Sequence, residues 1–159
     1  MATEKELTRA KFIFDSLCDA LDKIEWRYRV EEDSLKLVYG VNGDDVNMEF
    51  TMSCDVERQL IRLYSVLPYR FPEEKRAEGA IATCEANYKL AHGSFDFNLS
   101  DGMVVFRLVN SYRDSLVGAE LFEYMVSIAA STVDRYNDLF MLLGKGMFTL
   151  QDYIDKINE

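Results

Sequence analysis

Residues 94–110, SFDFNLSDGMVVFRLVN, form two runs in which apolar and polar side chains alternate, and Asp101-Gly102 separates the runs. Alternation with a period of two is typical of a strand that buries one face. An Asp-Gly pair between two such runs favours a two-residue hairpin turn, because both central residues of that turn need positive φ. The segment therefore predicts an antiparallel hairpin with one apolar face.

A two-residue turn at this position also predicts the register of the hairpin. Phe97 then lies opposite Phe106 on the face that we expect to be buried. On the opposite face, Asp96 meets Arg107 as a pair of opposite charges. The other predicted pairs are Phe95 with Leu108, Leu99 with Val104, Ser100 with Met103 and Asn98 with Val105. One face of the sheet should hold the core, and the other should face solvent or a partner.

Periodic patterns predict the remaining elements, because apolar residues recur every three or four positions in helices and every second position in strands. We expect helices at Glu4–Ile24, Pro72–Leu90, Ala119–Leu143 and after Gly146, and strands at 35–41, 46–53 and Arg58–Pro68 besides those of the hairpin above. The loop at 42–45 places Val41 opposite Val46 and Leu37 opposite Phe50. A short extra strand within Trp26–Glu31 is optional.

The order of these elements is α-β-β-β-α-β-β-α-α. It predicts an α+β fold, in which an antiparallel sheet of about five strands carries helices mainly on one face. The chain has 159 residues, of which 48% are hydrophobic, and this is enough for one well-buried core but not for two ordinary domains. We therefore expect residues 1–159 to form a single domain.

The second helix is expected to pack closely against the sheet, because its apolar stripe consists mostly of small residues. The predicted buried stripe is Ala77, Ala80, Ile81, Cys84 and Tyr88. The long third helix has a broader apolar arc, and we expect it to cover most of the core.

The charge of the chain argues against two classes of partner. The net charge is −10 and the basic residues are scattered, so nucleic acid and anionic membranes are poor partners. The first residues show no secretory signal pattern, and no segment approaches the roughly 18 apolar residues that a membrane span needs. We expect a cytoplasmic protein that does not bind membranes.

The sequence contains no recognisable catalytic, cofactor-binding or metal-binding pattern. His92 is the single histidine, which excludes sites built from several histidines. The three cysteines, Cys18, Cys54 and Cys84, are far apart and fall on faces that we expect to be buried, where thiols behave as small hydrophobic groups. The glycines of GKGMFT do not match a phosphate-binding loop. We therefore expect neither an enzyme nor a cofactor.

Two segments, ANYKLAHGSFDFNLSDGMVVFRL and STVDRYNDLFMLL, together with the order of elements, resemble the YbjN-like family of small bacterial domains. The residues that carry this resemblance are Asn87, Gly93, Phe95, Phe97, Asp101, Gly102, Arg107, Asp134 and Tyr136. The resemblance implies a fold similar to that of type III secretion chaperones, a regulatory or chaperone-like role and, by analogy with those chaperones, dimerisation. The family offers no catalytic residues to transfer to this chain.

Two hypotheses about function follow. The first is a non-enzymatic protein-binding module, chaperone-like or regulatory, that engages a polypeptide partner. The second is a small-ligand sensor or an unrecognised enzyme, with a site between the sheet and the helices. An apolar pocket with converging polar groups would favour the second hypothesis.

Three surfaces are candidates for partner binding or for a homodimer. The outer face of the sheet carries Val38, Val105 and Val109 within a polar surface. Phe12 lies among polar residues of the first helix, either as an isolated exposed aromatic side chain or as a contact with another chain. The last helix, with Tyr153 and Ile157, follows a glycine hinge that would let it reach a neighbouring chain.

Overall fold

The computed structural model describes residues 2–31, 34–44, 46–115 and 117–159. Its elements are α1 (Glu4–Lys23), β1 (Arg29–Glu31), β2 (Lys36–Asn42), β3 (Asn47–Asp55), β4 (Leu60–Arg70), a 3-10 turn (Glu73–Lys75), α2 (Arg76–Lys89), β5 (Ser94–Asn98), β6 (Met103–Ser111), α3 (Ala119–Gly144) and α4 (Leu150–Ile157). The predicted α+β class is confirmed. The optional strand is present as β1, so the sheet has six strands rather than five.

The strands form one antiparallel sheet in the order β1-β2-β3-β4-β6-β5. The helices pack on one face, where α1 contacts β3, α2 contacts β5 and α3 contacts β3, β4 and β6. We call this the inner face. Its fully buried side chains include Leu37, Phe50, Met52, Ile61, Leu63, Val104 and Phe106. The confirmed alternation of the strands therefore places the core between the sheet and the helices.

The predicted register of the β5–β6 hairpin is wrong by two residues. Phe95, rather than Phe97, lies opposite Phe106, and the connection spans four residues, from 99 to 102. The wider turn is stabilised locally, because the Gly102 N–H donates to the Asn98 carbonyl at 2.8 Å. The Asn98 and Asp101 side chains accept further backbone N–H groups of the same turn. A shift of two residues preserves the faces, so the inward residues were predicted correctly except for Leu99, which lies in the turn.

The β2–β3 hairpin departs from its predicted register in the same way. Val41 lies opposite Met48 and Leu37 opposite Met52, and the connection comprises residues 43–46. The loop has the four residues that were predicted but lies one position later in the chain, and the Gly43 N–H closes it by donating to the Val46 carbonyl at 3.1 Å. Asp45, which the sequence places in the turn, lies outside the described residues.

Strand β4 is interior to the sheet, because it pairs with β3 on one side and β6 on the other. Pro68 does not end the strand, which continues to Arg70 through an irregularity after Val66. An irregular position tolerates proline because no ladder hydrogen bond is required there. The Phe71 N–H then donates to the Gly102 carbonyl at 2.9 Å and joins the end of β4 to the β5–β6 turn.

Helix α2 is rotated relative to the prediction. Its buried residues are Gly79, Ala82, Thr83 and Ala86, whereas the predicted stripe is partly exposed. Gly79 explains the choice of face, because a Cβ there would lie 2.5 Å from the Phe97 ring. The small-residue face lets the helix approach β5 closely, and this contact takes precedence over the burial of larger apolar side chains.

The β5 edge of the sheet is closed by a side chain of α2. The Asn87 amide nitrogen donates to the Phe95 carbonyl at 2.9 Å, and the Phe95 N–H donates to the Asn87 amide oxygen at 2.7 Å. Asn87 thus satisfies the two backbone groups that a neighbouring strand would otherwise satisfy.

Candidate binding surfaces

The outer face of the sheet carries no helix among the described residues, since the helix–sheet contacts lie on the inner face. Pairing aligns its side chains in rows across the strands, for example Val38 with Thr51, Thr51 with Tyr64 and Tyr64 with Arg107. A neighbouring row places Val66 opposite Val105. The outer face therefore combines aliphatic and aromatic groups with polar ones at the centre of the sheet.

A shallow groove of about 480 Å³ runs along the β5–β6 end of this outer face. Its lining residues are Tyr64, Asp96, Phe97, Asn98, Leu99, Met103 and Val105. We call it the outer groove. Leu99, 62% exposed, belongs to its lining, and Val66, 55% exposed, lies opposite Val105 in the next strand. Apolar side chains that converge at one place on an uncovered sheet are typical of contact surfaces.

Of the ion pairs on the outer face, two define its charged parts along β4 and β6, and one of these two lies at the rim of the groove. The Arg107 guanidinium donates two hydrogen bonds to Asp96, at 2.6 and 2.9 Å, although strand pairing sets the two residues diagonally rather than opposite each other. The hydrogen bonds that Arg107 donates to Asp96 raise the pKa of Arg107 above its ordinary value. This paired geometry is stronger than a single contact and fixes both side chains beside the outer groove.

The second ion pair lies near the other end of β4. The Asp55 carboxylate accepts the Arg58 backbone N–H at 2.9 Å and also contacts the Arg58 and Arg62 guanidinium groups. The Arg58 N–H first, and then the two guanidinium groups, hold the pKa of Asp55 below its ordinary value despite partial burial. The outer face is therefore charged near Asp55 and Arg62. The apolar side chains of this face converge instead at the outer groove.

The other predicted outer-face residues do not join the outer groove. Val38 lies in β2, separated from Tyr64 by β3, and Val109 lies opposite Arg62. Both side chains are half-buried. Only Val105 of the three predicted valines lines the groove.

Phe12 occupies a different layer of the molecule. It projects from α1, which packs on the inner side of the sheet, and its side chain is 65% exposed. A shallow depression around it is lined by Glu4, Lys5, Thr8 and Arg9. The structure thus leaves Phe12 accessible but does not bring it together with the valines of the outer face.

The last helix does not present its predicted residues to a partner. Tyr153 and Ile157 are buried, and the Tyr153 ring centroid lies 5.4 Å from that of Phe140 in α3. Thr149 and Asp152 form a capping box that defines the start of α4. The expectation that Tyr153 and Ile157 contact a neighbouring chain is therefore corrected by their burial.

Sequence reasoning missed the outward face of α2. Ala77, Ile81, Cys84 and Tyr88 recur at helical spacing and form an exposed apolar stripe. Tyr88 is 86% exposed and Ile81 is 48% exposed. The signal that could have identified this face is Gly79, because a glycine inside a helical pattern often marks a close packing contact. Once Gly79 is assigned to the inner side, the larger residues must face outward.

The three cysteine thiols differ in how deeply they are buried. Burial raises the pKa of the Cys54 thiol to about 12, and burial also raises the pKa of Cys18. Cys84 is exposed on α2, contrary to the predicted inward position.

Within the described ranges, no three residues among His, Cys, Asp and Glu are grouped as metal ligands would be. No described helix is long and apolar enough to span a bilayer.

One sequence-family model matches most of the chain. The model for YbjN, described as "Putative bacterial sensory transduction regulator", matches residues 14–141. No curated protein sequence matches the chain.

Solved structures with low sequence identity share the fold. The structure of YbjN, "a putative transcription regulator from E. coli", has a TM-score of 0.55 and 11% identity, over 76% of this chain and 85% of that chain. A chain of the HopA1-SchA chaperone-effector complex has a TM-score of 0.50 and 16% identity, and the match covers 79% of this chain and 93% of that chain. A chain of the ExsC-ExsE complex has a TM-score of 0.54 and 12% identity, and the match covers 82% of this chain and 95% of that chain. The expected secretion-chaperone-like fold is thereby confirmed.

Proposed function

The chain belongs to the YbjN family, and from this membership we propose that it is a non-enzymatic protein-binding module that engages a polypeptide partner in a chaperone-like or regulatory role. The observation that carries the proposal is the outer groove. It places Tyr64, Leu99, Met103 and Val105 together on a sheet face that no described helix covers.

The composition of the outer groove suits a polypeptide better than a small metabolite. Its lining is largely apolar, and the Asp96 and Arg107 side chains at its rim are already bonded to each other. An apolar centre with a polar rim is the usual anatomy of a protein interface. The partner that this groove selects is therefore a segment with apolar side chains rather than a strongly charged one.

The fold neighbours give a second line of support. One is a chain from a chaperone-effector complex, and another is a chain from a complex of two proteins, ExsC and ExsE. Both neighbours therefore come from complexes in which a second protein is present. Since fold alone does not establish function, the groove residues carry the proposal and the neighbours only agree with it.

A homodimer, if the chain forms one, has its best surface on α2. The stripe containing Ile81 and Tyr88 is apolar and exposed, so two copies can pack it against each other about a twofold axis. The outer groove would remain open for a partner in such a dimer, because α2 packs on the inner side of the sheet.

The proposal is tested by affinity purification of the tagged chain from its native cells, followed by mass spectrometry. Wild type is compared with Val105→Glu, which places a charge in the outer groove, and with Phe12→Glu, which places the same charge on α1. We expect wild type and Phe12→Glu to retain one stoichiometric protein that Val105→Glu loses. Unequal urea stability of the two variants must first be excluded by melting curves.

Two results would argue against this function. Equal retention by Val105→Glu and wild type would remove the outer groove from the interface. Recovery of a copurified metabolite without any protein would favour the small-ligand sensor or an enzyme.

A further inference from the structure

We propose that a cleft beside His92 binds a small organic anion, one that carries a phosphate or carboxylate group. The cleft consists of two adjoining cavities of about 350 and 370 Å³, which share Ala91, His92 and Tyr124. We call it the His92 cleft. It lies between the α2–β5 loop, the end of β6 and α3, and it shares no lining residue with the outer groove, although Arg107 lines the cleft and also lies at the rim of that groove. The proposal does not depend on the proposed protein-binding function.

The charged lining of the cleft is entirely cationic among the residues that the structure describes. Arg107 lines one cavity, and Lys89 and Arg135 line the other. The chain as a whole has a net charge of −10, so a cleft without a lining carboxylate is unexpected on its surface. A local group of cations favours an anion even on an acidic protein, because nearby charges act more strongly than screened distant ones.

The two cations of the second cavity are available to a ligand. Arg107 is held by Asp96, whereas Lys89 and Arg135 form no ion pair with another described residue. The Arg135 guanidinium carbon lies 5.6 Å from the ring centroid of Tyr136, which also lines this cavity. A guanidinium that rests over an aromatic ring is partly oriented, and its planar donors match a carboxylate or phosphate. Arg135 is therefore the expected anchor.

Residues with hydroxyl groups complete the lining of the second cavity. They are Ser131, Thr132 and Tyr124, and the Ser131 hydroxyl already donates to the Ile128 carbonyl at 3.2 Å. His92 Nδ1 hydrogen-bonds the Tyr124 hydroxyl, and the two rings meet edge to face with centroids 5.4 Å apart. This contact joins the loop to α3 at the boundary between the two cavities.

The loop itself offers backbone donors and is fixed in place. The N–H groups of Ala91, His92 and Gly93 donate no hydrogen bond to another described residue. Gly93 has φ +76°, and a Cβ there would lie 2.5 Å from the Phe106 ring, so glycine is required for the loop to follow this path. Consecutive free N–H groups near a residue of positive φ are a common element of anion sites.

The size and apolar lining indicate the class of ligand. Leu90 and Ile128 line the same cavity as Arg135, so a ligand can place its carbon skeleton against them while its anionic group meets the cations. A cavity of this volume accepts a small metabolite rather than a macromolecule.

The test is a titration of the ¹⁵N-labelled full chain, followed by two-dimensional NMR, with inorganic phosphate and with citrate as separate probes. Sodium chloride at matched ionic strength is the reference for general salt effects. We expect saturable shifts of the Ala91, His92 and Gly93 amide signals with phosphate, citrate or both, and the preferred probe assigns the anionic group.

Two matched variants locate the site. Arg135→Gln should weaken the saturable binding about tenfold or more, the effect of losing one charge-assisted hydrogen bond. Arg113→Gln removes the same charge from an exposed arginine outside the cleft and should leave binding unchanged. The proposal is overturned if the shifts are absent, follow those in sodium chloride, or weaken equally in both variants while both remain folded by their NMR dispersion.

Discussion

The inner and outer faces of the sheet are built from alternate residues of the same strands, yet different forces act on them. The inner face buries rings such as Phe106, whose centroid lies 5.3 Å from that of Phe95. The next residue along the chain, Val105, lies on the uncovered face and lines the outer groove. Neighbours in sequence can therefore differ in their surroundings: Phe106 is fully buried in the core, whereas Val105 is half-buried and contributes to the surface of the outer groove.

The largest expected effect comes from removing a ring from the inner face. Phe106→Ala should lower the free energy of unfolding by roughly 3 to 5 kcal/mol, because it deletes a fully buried ring and leaves a cavity. Urea melts give this value directly. The control is Val105→Ala on the outer face, for which we expect a loss below about 1 kcal/mol. Similar losses in the two variants would contradict the assignment of the faces.

The second prediction concerns the β5 edge, where the two faces meet. Asn87→Ala should cost roughly 1 to 3 kcal/mol, because it leaves the backbone N–H and C=O of the buried Phe95 without their partner. Hydrogen exchange should show faster exchange at the Phe95 amide than in wild type. Lys89→Ala, on the same helix but exposed, is the control and should change neither quantity measurably.

The third prediction tests the charged end of the outer face through pH. The pKa of Asp55 is lowered in the folded chain, so its contribution to stability is present above the ordinary value of about 3.9 and is lost as pH falls through the lowered folded value. Asp55→Asn should therefore show a smaller fall in unfolding free energy than wild type on acidification below about pH 5. Urea melts over a series of pH values measure the difference. Parallel curves for the two proteins would contradict the role of this carboxylate.

The smallest expected effect comes from the ion pair at the rim of the outer groove. Asp96→Ala should cost less than about 1 kcal/mol in urea melts, because both partners are largely exposed and solvent screens their attraction. The remaining loss should shrink further in high salt. A cost comparable to that of Phe106→Ala would mean that the outer face contributes to the core.

Alternation alone was sufficient to predict both faces of the sheet. It assigned Phe95, Val104 and Phe106 inward and Val105 outward. Register was not predictable to the same degree, because a shift of two residues leaves every side chain on the same face. The choice between a two-residue and a four-residue turn depends on local side-chain hydrogen bonds, such as those of Asn98, and on the contact of Gly102 with Phe71.

The candidate surfaces were less predictable than the fold. Val105 and Phe12 are accessible as expected, but the periodicity of α2 and α4 shows only that each helix has an apolar face. Whether that face is turned inward depends on tertiary packing: α4 buries Tyr153, while α2 turns Tyr88 to solvent so that Gly79 can meet Phe97. The His92 cleft depends on residues of α2, β5, β6 and α3 and of the α2–β5 loop, and no local pattern brings them together.

The pairing of β4 with β6 has a consequence for how the chain folds. Strands β1 to β4 are joined by short loops and pair with their neighbours in sequence, whereas β6 reaches β4 only after α2 and β5 have intervened. Contacts between residues far apart in sequence are slow to form, because the intervening segment must first lose conformational entropy. We expect the β1–β4 meander to form early and the closure of the β4–β6 seam to limit the rate. Substitutions in the early-formed β2–β3 hairpin, like those along that seam, should then slow refolding, while substitutions at contacts that form after the seam closes should chiefly speed unfolding.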